Sequence, residues 1–205
     1  MSAIGALHEK LVANRRVATL ARWFAQLTPR GASVLDVGCG DGRISAVLQS
    51  QRPDLKVRGI DVLLRTHTRI PVEIFDGRVF PFDDQSFDVV LFSDVLHHTP
   101  DPAVLLREAT RVTRHGVLIK DHNRSGLWAD ARLRLMDWVG NARFGVALPY
   151  NYWTEGQWRE TWQGLGLRPD QFVTNLGLYP LPVNWIFEAK LHFVVLLTKR
   201  ATFGT

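Results

Sequence analysis

Val34-Leu35-Asp36-Val37-Gly38-Cys39-Gly40-Asp41-Gly42 is the stretch on which the fold turns. Ser33 to Val37 is a short apolar, β-branched run, three glycines follow at once, and Ile44 to Gln51 then reads as a helix that stops before Pro53. A strand that breaks into glycines and re-emerges as a helix opens a βαβ unit. Glycines there let the backbone turn sharply and let a ligand approach with no Cβ in the way. The spacing is Gly-x-Gly-x-Gly, whereas a dinucleotide fingerprint wants Gly-x-Gly-x-x-Gly, and Arg43 takes the third fingerprint position. Asp36 and Asp41 flank the turn; carboxylates repel a pyrophosphate and suit a ligand with cationic groups.

Outward from this turn the chain alternates. Lys56 to Ile60 reads as a second strand ending in Asp61, Pro71 to Phe75 as a third, Phe87 to Phe92 as a fourth and Gly116 to Lys120 as a fifth. Asp101-Pro102 opens a helix through Val112, proline being accommodated in a first turn. Residues 3–27 carry Leu7, Leu11, Ala18, Ala21 and Phe24 at helical spacing, closed by Thr28-Pro29-Arg30-Gly31. Thr154 is a candidate N-cap for a helix to Gly164, and Phe172–Leu176 and Leu191–Leu197 supply two last strands. Strands alternating with helices imply a mostly parallel sheet with ligands beyond the carboxyl ends of its strands.

Asp61 lies 19 residues after Gly42, at the end of the second strand. A carboxylate there can accept both hydroxyls of a ribose diol, each charge-assisted bond contributing about 1.5–3 kcal/mol. That points to an adenosine-containing ligand without choosing between dinucleotide and other adenosine cofactors.

Composition bounds the rest. The chain has 205 residues, 46% hydrophobic and 22% charged, as in an ordinary globular domain, and we expect one domain. One cysteine, Cys39, excludes an internal disulfide, and no spacing suggests a metal site. Met1 to Lys10 lacks a signal-peptide layout, and Phe193–Leu197 is too short to span a bilayer, so the expectation is a cytoplasmic protein with no membrane span. The net charge is +5, and residues 1–30 carry +4 of it through Lys10, Arg15, Arg16, Arg22 and Arg30 against Glu9. A basic helix of this kind is a solvated face, a lid over an acidic substrate, or a contact for membrane or nucleic acid. Seven tryptophans are unusual, and five of them fall between Trp128 and Trp162.

In register with the glycine turn come Asp61, then Asp76-Gly77, Phe80-Pro81-Phe82-Asp83-Asp84-Gln85-Ser86-Phe87-Asp88, Asp94-Val95-Leu96-His97-His98-Thr99-Pro100-Asp101-Pro102 and Leu106-Arg107-Glu108-Ala109-Thr110-Arg111-Val112. Together these blocks resemble the class I methyltransferases of the small-molecule type 11 group, from about residue 33 to 121. The resemblance implies a Rossmann-like, doubly wound α/β fold: a three-layer α/β/α arrangement whose seven-stranded sheet is mostly parallel with the last strand antiparallel. It implies S-adenosyl-L-methionine as cofactor. Asp36, Gly38, Cys39 and Gly40 would surround its methionine part, Asp61 and Val62 its ribose and adenine, Asp76 and Gly77 the adenine amino edge, and Ser93 the floor near the sulfonium. Cys39 would be a small residue in a tight turn rather than a reactive thiol.

The chain departs from the group in two places. Residues 63–71 leave no room for the usual helix between strands two and three, so a more open adenine edge is expected. Arg114-His115-Gly116 stands where two glycines are common, so a tighter turn is expected there.

Within this frame residues 1–30 form a basic helix or lid, 31–121 the cofactor-binding core, 122–153 an aromatic-rich insertion or lid, and 154–205 a C-terminal helix and strands. His97 is the first candidate general base and His122 the second, both beyond strand ends; the alternatives are a loop residue for His97 and packing for His98. Asp121 reads as a turn cap. Trp138, Tyr150 and Tyr152, interleaved with arginines, suit a hydrophobic or aromatic small-molecule acceptor, unless these aromatics simply pack the insertion on the sheet. The expected activity is methyl transfer to oxygen, nitrogen or carbon of such an acceptor. A nucleic-acid substrate and a non-catalytic binding module stay as alternatives. No RNA-binding module is read within these residues, and the sequence leaves the oligomeric state open.

Overall fold

A computed structural model describes residues 3–141, 150–181, 184–188 and 190–199, with side chains from Ala13 onward apart from residues 137–141 and Ile186. Seven strands, β1 (Ser33–Val37), β2 (Lys56–Asp61), β3 (Val72–Ile74), β4 (Phe87–Ser93), β5 (Thr113–His122), β6 (Leu167–Val173) and β7 (His192–Lys199), form one sheet in the order β3-β2-β1-β4-β5-β7-β6. β7 runs antiparallel to both β5 and β6, and the pairings among β1 to β5 are parallel. The order reverses at β1, beside β4, so the glycine turn after β1 sits at the topological switch point where such sheets take ligands.

The strand cores read as near-continuous apolar runs because both faces are covered. One face packs beneath α1 (Ala3–Leu27) and α2 (Arg43–Gln51): Leu20, Ala21, Phe24 and Leu27 of α1 and Leu48 of α2 meet Val34, Val57, Val89, Leu91 and Leu118. The other carries α3 (Pro102–Val112) and α5 (Glu155–Gly164), with Leu105, Leu106, Ala109, Trp158 and Trp162 against Leu35, Val90, Val117 and Phe193. Trp158 and Trp162 are fully buried, which gives two of the five clustered tryptophans an ordinary core role. Trp128 is the opposite case, 79% exposed at the start of the insertion.

Two caps explain where helices start. The Asp101 side chain accepts from Ala103 N at 2.9 Å with Pro102 in the first turn of α3. Thr154 and Gln157 form a full capping box on α5.

Three boundaries differ from the sequence reading. β6 begins at Leu167, five residues before the Phe172 start expected of it. Its first half, Arg168-Pro169-Asp170-Gln171, has no apolar run because it is an edge strand, where a proline and charges are tolerated. Residues 114–116 make no turn: the chain passes straight from α3 into β5, and the β4–β5 register shifts between Phe87 and Val89. Thr113 Oγ1 steadies that entry by donating to Asp88 O at 2.8 Å and lying 2.9 Å from Gly116 O. The insertion contains a helix, α4 (Ala129–Asn141), and a short α6 (Asn184–Phe187) precedes β7. Residues 62–71 are helix-free, as expected.

Candidate active site

The carboxyl ends of β1, β2, β4 and β5 open on the same edge of the sheet, and nearly every expected site residue stands there. The glycine turn is held in a left-handed path, with φ of 69° at Gly38 and 61° at Gly40. A Cβ on Gly38 would lie 2.6 Å from Val95 Cγ2, so the turn is closed against the segment after β4. Gly38 N–H donates to Ile60 O at 2.7 Å and Gly40 N–H to Asp61 Oδ2 at 2.8 Å, which ties the turn to the end of β2.

Asp61 thus has a second task beside the ribose role inferred from sequence. Its Oδ1 accepts from Leu63 N at 3.0 Å, and each carboxylate oxygen keeps lone-pair capacity for a further donor. Val62 projects into the open and would touch a Cβ on Gly77 at 3.2 Å, so the two border one slot. Asp76 Oδ1 accepts from both Arg78 N and Val79 N at 2.8 Å, and those backbone bonds hold its carboxyl below the usual range. Asp36 lies deeper. Burial pushes its carboxyl up to about 7, partly opposed by the Ser45 hydroxyl, which donates to it at 2.6 Å. It therefore anchors the first turn of α2 from below the glycine turn. Burial, with Asp36 and Asp61 adding to it, pushes the Cys39 thiol well above its ordinary value, consistent with a packing residue. Ser93 Oγ is buried with no hydrogen-bond partner.

Beside this cradle, the segment after β4 forms a 3₁₀ turn, Leu96–His98, that delivers His97 against β5. His97 Nδ1 lies 2.6 Å from Asp121 Oδ1, with both side chains essentially buried. Asp121 also accepts from Leu96 N at 3.1 Å and from His122 N at 2.7 Å, so its carboxylate is fixed on three sides. His97 stacks on Tyr152, ring centroids 5.4 Å apart, and meets His98 and His122 at 4.0 and 4.6 Å. The His122 ring is buried and held well below its ordinary value, first by burial and then by Lys120 and His97. It stays neutral and is a poorer proton acceptor for that reason. Tyr152 donates to Leu133 O at 3.2 Å from beneath α4, and Arg134 lies 4.8 Å over the Tyr150 ring. The side chain of Trp138 lies outside the described residues.

No motif or spacing along the chain signals the ion cluster that flanks this group. Asp94, at φ 58°, is paired with Arg16 of α1 and with the fully buried Lys120 of β5, and His122 Nε2 lies 3.4 Å away. Burial alone works against the Asp94 carboxylate, yet Arg16 and Lys120 outweigh it and hold the group well below the usual carboxylate range. Lys120 also approaches His192 Nδ1 at 3.3 Å. Arg16 thereby fastens the basic helix to the rim of the site: one of the four cations of α1 is a structural clasp rather than a solvated charge. No group of three or more His, Cys, Asp or Glu among the described residues is placed to hold a metal, and no described helix is long and apolar enough to cross a membrane.

The groups that an adenosine ligand would need stand at these strand ends. The bare glycine turn, the Asp61 carboxylate, the slot between Val62 and Gly77 and the unpartnered Ser93 hydroxyl lie along one strand-end crevice.

Comparison with known proteins points the same way. Residues 9–171 match the family model described as a methyltransferase domain. The 27-O-demethylrifamycin SV methyltransferase of Amycolatopsis mediterranei (strain S699) is 32% identical over 121 residues, 48% of this chain and 44% of that protein. The 2-methyl-6-phytyl-1,4-hydroquinone methyltransferase of Synechocystis is 30% identical over 155 residues, 70% of this chain and 43% of that protein. In both, the matched region is less than half of the relative's own length. The methyltransferase solved with the Haloferax volcanii Trm112 methyltransferase activator superposes with a TM-score of 0.71, covering 93% of each chain at 15% identity, a likeness of fold.

Proposed function

Since this chain belongs to the class I S-adenosylmethionine-dependent methyltransferase family, we propose that it methylates a small, hydrophobic or aromatic acceptor, with a hydroxyl as the acceptor group. The observation that carries the hydroxyl reading is the buried His97–Asp121 pair standing beside the glycine cradle. The two relatives are named for a rifamycin and a hydroquinone, which supports a hydrophobic ring compound as acceptor, and the first name alone, 27-O-demethylrifamycin, gives oxygen as the methylated atom.

The bound cofactor supplies an electrophilic methyl group on a sulfonium. Everything else falls to the chain. The cradle residues Gly38, Gly40, Asp61, Val62, Asp76 and Gly77 would hold the cofactor's adenosine and methionine arms, with Ser93 at the floor of the site. Alignment of two reactants in a dry site is worth an effective molarity of roughly 10⁵–10⁸ M. Asp121, by accepting from Nδ1–H, places the basic lone pair of His97 on Nε2. When an acceptor oxygen takes the methyl and the methyl–sulfur bond breaks to leave a neutral thioether, the oxygen's proton would pass to that nitrogen, and the positive charge on the imidazole would face the Asp121 carboxylate. General-base assistance of this kind contributes about 10²–10⁴-fold. Tyr152, stacked on His97, and Tyr150 with Arg134 beside it form the wall against which an aromatic acceptor lies.

Calorimetry with S-adenosylhomocysteine tests the cofactor half, with NADH as control. Binding is expected for the first and none for the second, and Asp61→Ala should weaken it about 10–100-fold through loss of one or two charged hydrogen bonds. A panel of hydroxylated aromatics, assayed for methyl transfer, tests the acceptor half. Tight S-adenosylhomocysteine binding with turnover only on amines or on nucleic acid would overturn the hydroxyl reading and leave the cofactor site standing.

A further inference from the structure

Right-handed crossovers put the connection from β2 to β3 on the same sheet face as α2, because both steps move outward along the order β3-β2-β1. Residues 62–71 make that connection without a helix, so the outer end of this face lacks the cover its crossover would give. Gly59, Asp61, Val72 and Ile74 project on this face, since register partners in a parallel pair point the same way. Val72 still reaches the core under α1 and α2, whereas Ile74 is 61% exposed. In the segments that flank β3, Leu63, Leu64 and Val79 are likewise at least half exposed. Exposed large apolar side chains concentrated in one stretch of chain mark an interaction surface more often than singly scattered ones do.

β3 is also an open edge. Gly59 N–H donates to Pro71 O at 2.8 Å and Phe75 N–H to Asp61 O at 3.1 Å, which assigns the odd-numbered residues to β2. The peptide groups of Val72 and Ile74 therefore face outward, a template for one more strand.

Charge decides what can use it. Residues 56–79 carry Lys56, Arg58, Arg65, Arg69 and Arg78 against Asp61, Glu73 and Asp76. Glu73 is taken by Arg58 and Asp76 by its own turn, while Arg65 and Arg78 have no ion-pair partner among the described residues. Two copies of a +5 chain meeting here would bring these arginines together, so self-pairing is disfavoured and a negatively charged strand is favoured. We propose that the β3 edge and its apolar rim bind an extended segment of an acidic protein partner, which adds a strand to β3 and sets carboxylates beside Arg65 and Arg78.

The probe is a synthetic strand peptide alternating valine with glutamate, and its control replaces every glutamate by lysine. Titrated into the isotope-labelled full chain, the acidic peptide should shift the Val72 and Ile74 amides first and slow their hydrogen exchange about tenfold at saturation. Its affinity should fall by about tenfold or more in Ile74→Lys and in Arg78→Glu, and with added salt. Ile74→Lys should keep its S-adenosylhomocysteine affinity, which separates loss of the edge from loss of the fold. Equal binding of the lysine peptide would make the surface merely sticky and overturn the proposal. So would no shift at all, shifts centred elsewhere, or slow exchange at Val72 and Ile74 in the chain alone. Concentration-dependent dimerisation protecting the same amides would assign the edge to a second copy instead.

Discussion

Replacing Asp121 by asparagine removes one charge and leaves the shape of the residue unchanged. Its carboxylate is buried, accepts from two backbone N–H groups and lies 2.6 Å from His97 Nδ1. Asparagine has one acceptor oxygen and one donor amide. Leu96 N–H binds Oδ2, whereas His122 N–H and His97 Nδ1 share Oδ1, so either placement of the amide sets its NH2 against a backbone N–H. With NH2 in the Oδ1 place the tautomer reverses and Nε2 carries the proton; with oxygen there the tautomer stays, but no carboxylate faces the imidazolium that forms. Loss of general-base assistance predicts a fall in kcat of about 10²–10⁴-fold. S-adenosylhomocysteine affinity should stay within about twofold, because Asp121 touches no residue of the glycine cradle. The stability loss should be about 1–3 kcal/mol, the range for weakening a buried charge-assisted bond. The assay is single-turnover methyl transfer to a phenolic acceptor, followed from neutral to alkaline pH. The deficit should shrink as the pH approaches about 10, where a phenol ionises unaided. A variant that keeps kcat within about threefold would refute the base assignment and leave alignment alone as the source of rate.

Three further expectations concern the fold around the site. The Asp36 carboxyl, raised to about 7 by burial from an ordinary 3.8, holds its proton more tightly folded than unfolded, so its contribution to stability falls as pH rises from about 4 to 7. Asp36→Asn, which still accepts from Ser45, should therefore gain about 2–4 kcal/mol on the parent between pH 4 and 8 by chemical denaturation; an equal effect at both pH values would disprove the shift. Gly38→Ala places a Cβ on Val95 at a φ of 69° and should lose about 2–4 kcal/mol, with Val95→Ala restoring the steric part but not the backbone part. Thr154→Ala breaks the capping box of α5 and should lower stability by about 1 kcal/mol in a thermal melt, whereas Thr154→Ser should lose much less.

The parts of this protein legible in its sequence are those encoded by neighbours along the chain. Apolar runs placed β1, β4 and β7, because a strand covered on both faces is apolar nearly throughout. The glycine turn, Asp61 at the end of β2, the Asp101-Pro102 start of α3 and the Thr154 cap are local rules, and the structure holds each where its rule puts it. The first half of β6 escaped because an edge strand answers to one partner and needs no apolar run, and α4 escaped because Trp128, not a capping residue, precedes its first residue, Ala129.

Tertiary structure alone decided the chemistry beside the cradle. His97 meets Asp121 across 24 residues, Asp94 meets Arg16 across 78, and Lys120 meets His192 across 72. In the sequence Asp121 passes for a turn cap, Asp94 for a loop residue and Arg16 for one more charge on a basic helix. Periodicity reports which face a side chain takes, and it carries no information on what the crossovers bring to that face. Parallel strands set the ends of β4 and β5 side by side and the antiparallel β7 returns beside them. Buried charges then have no water to turn to, so each is stable only with the partner the fold delivers.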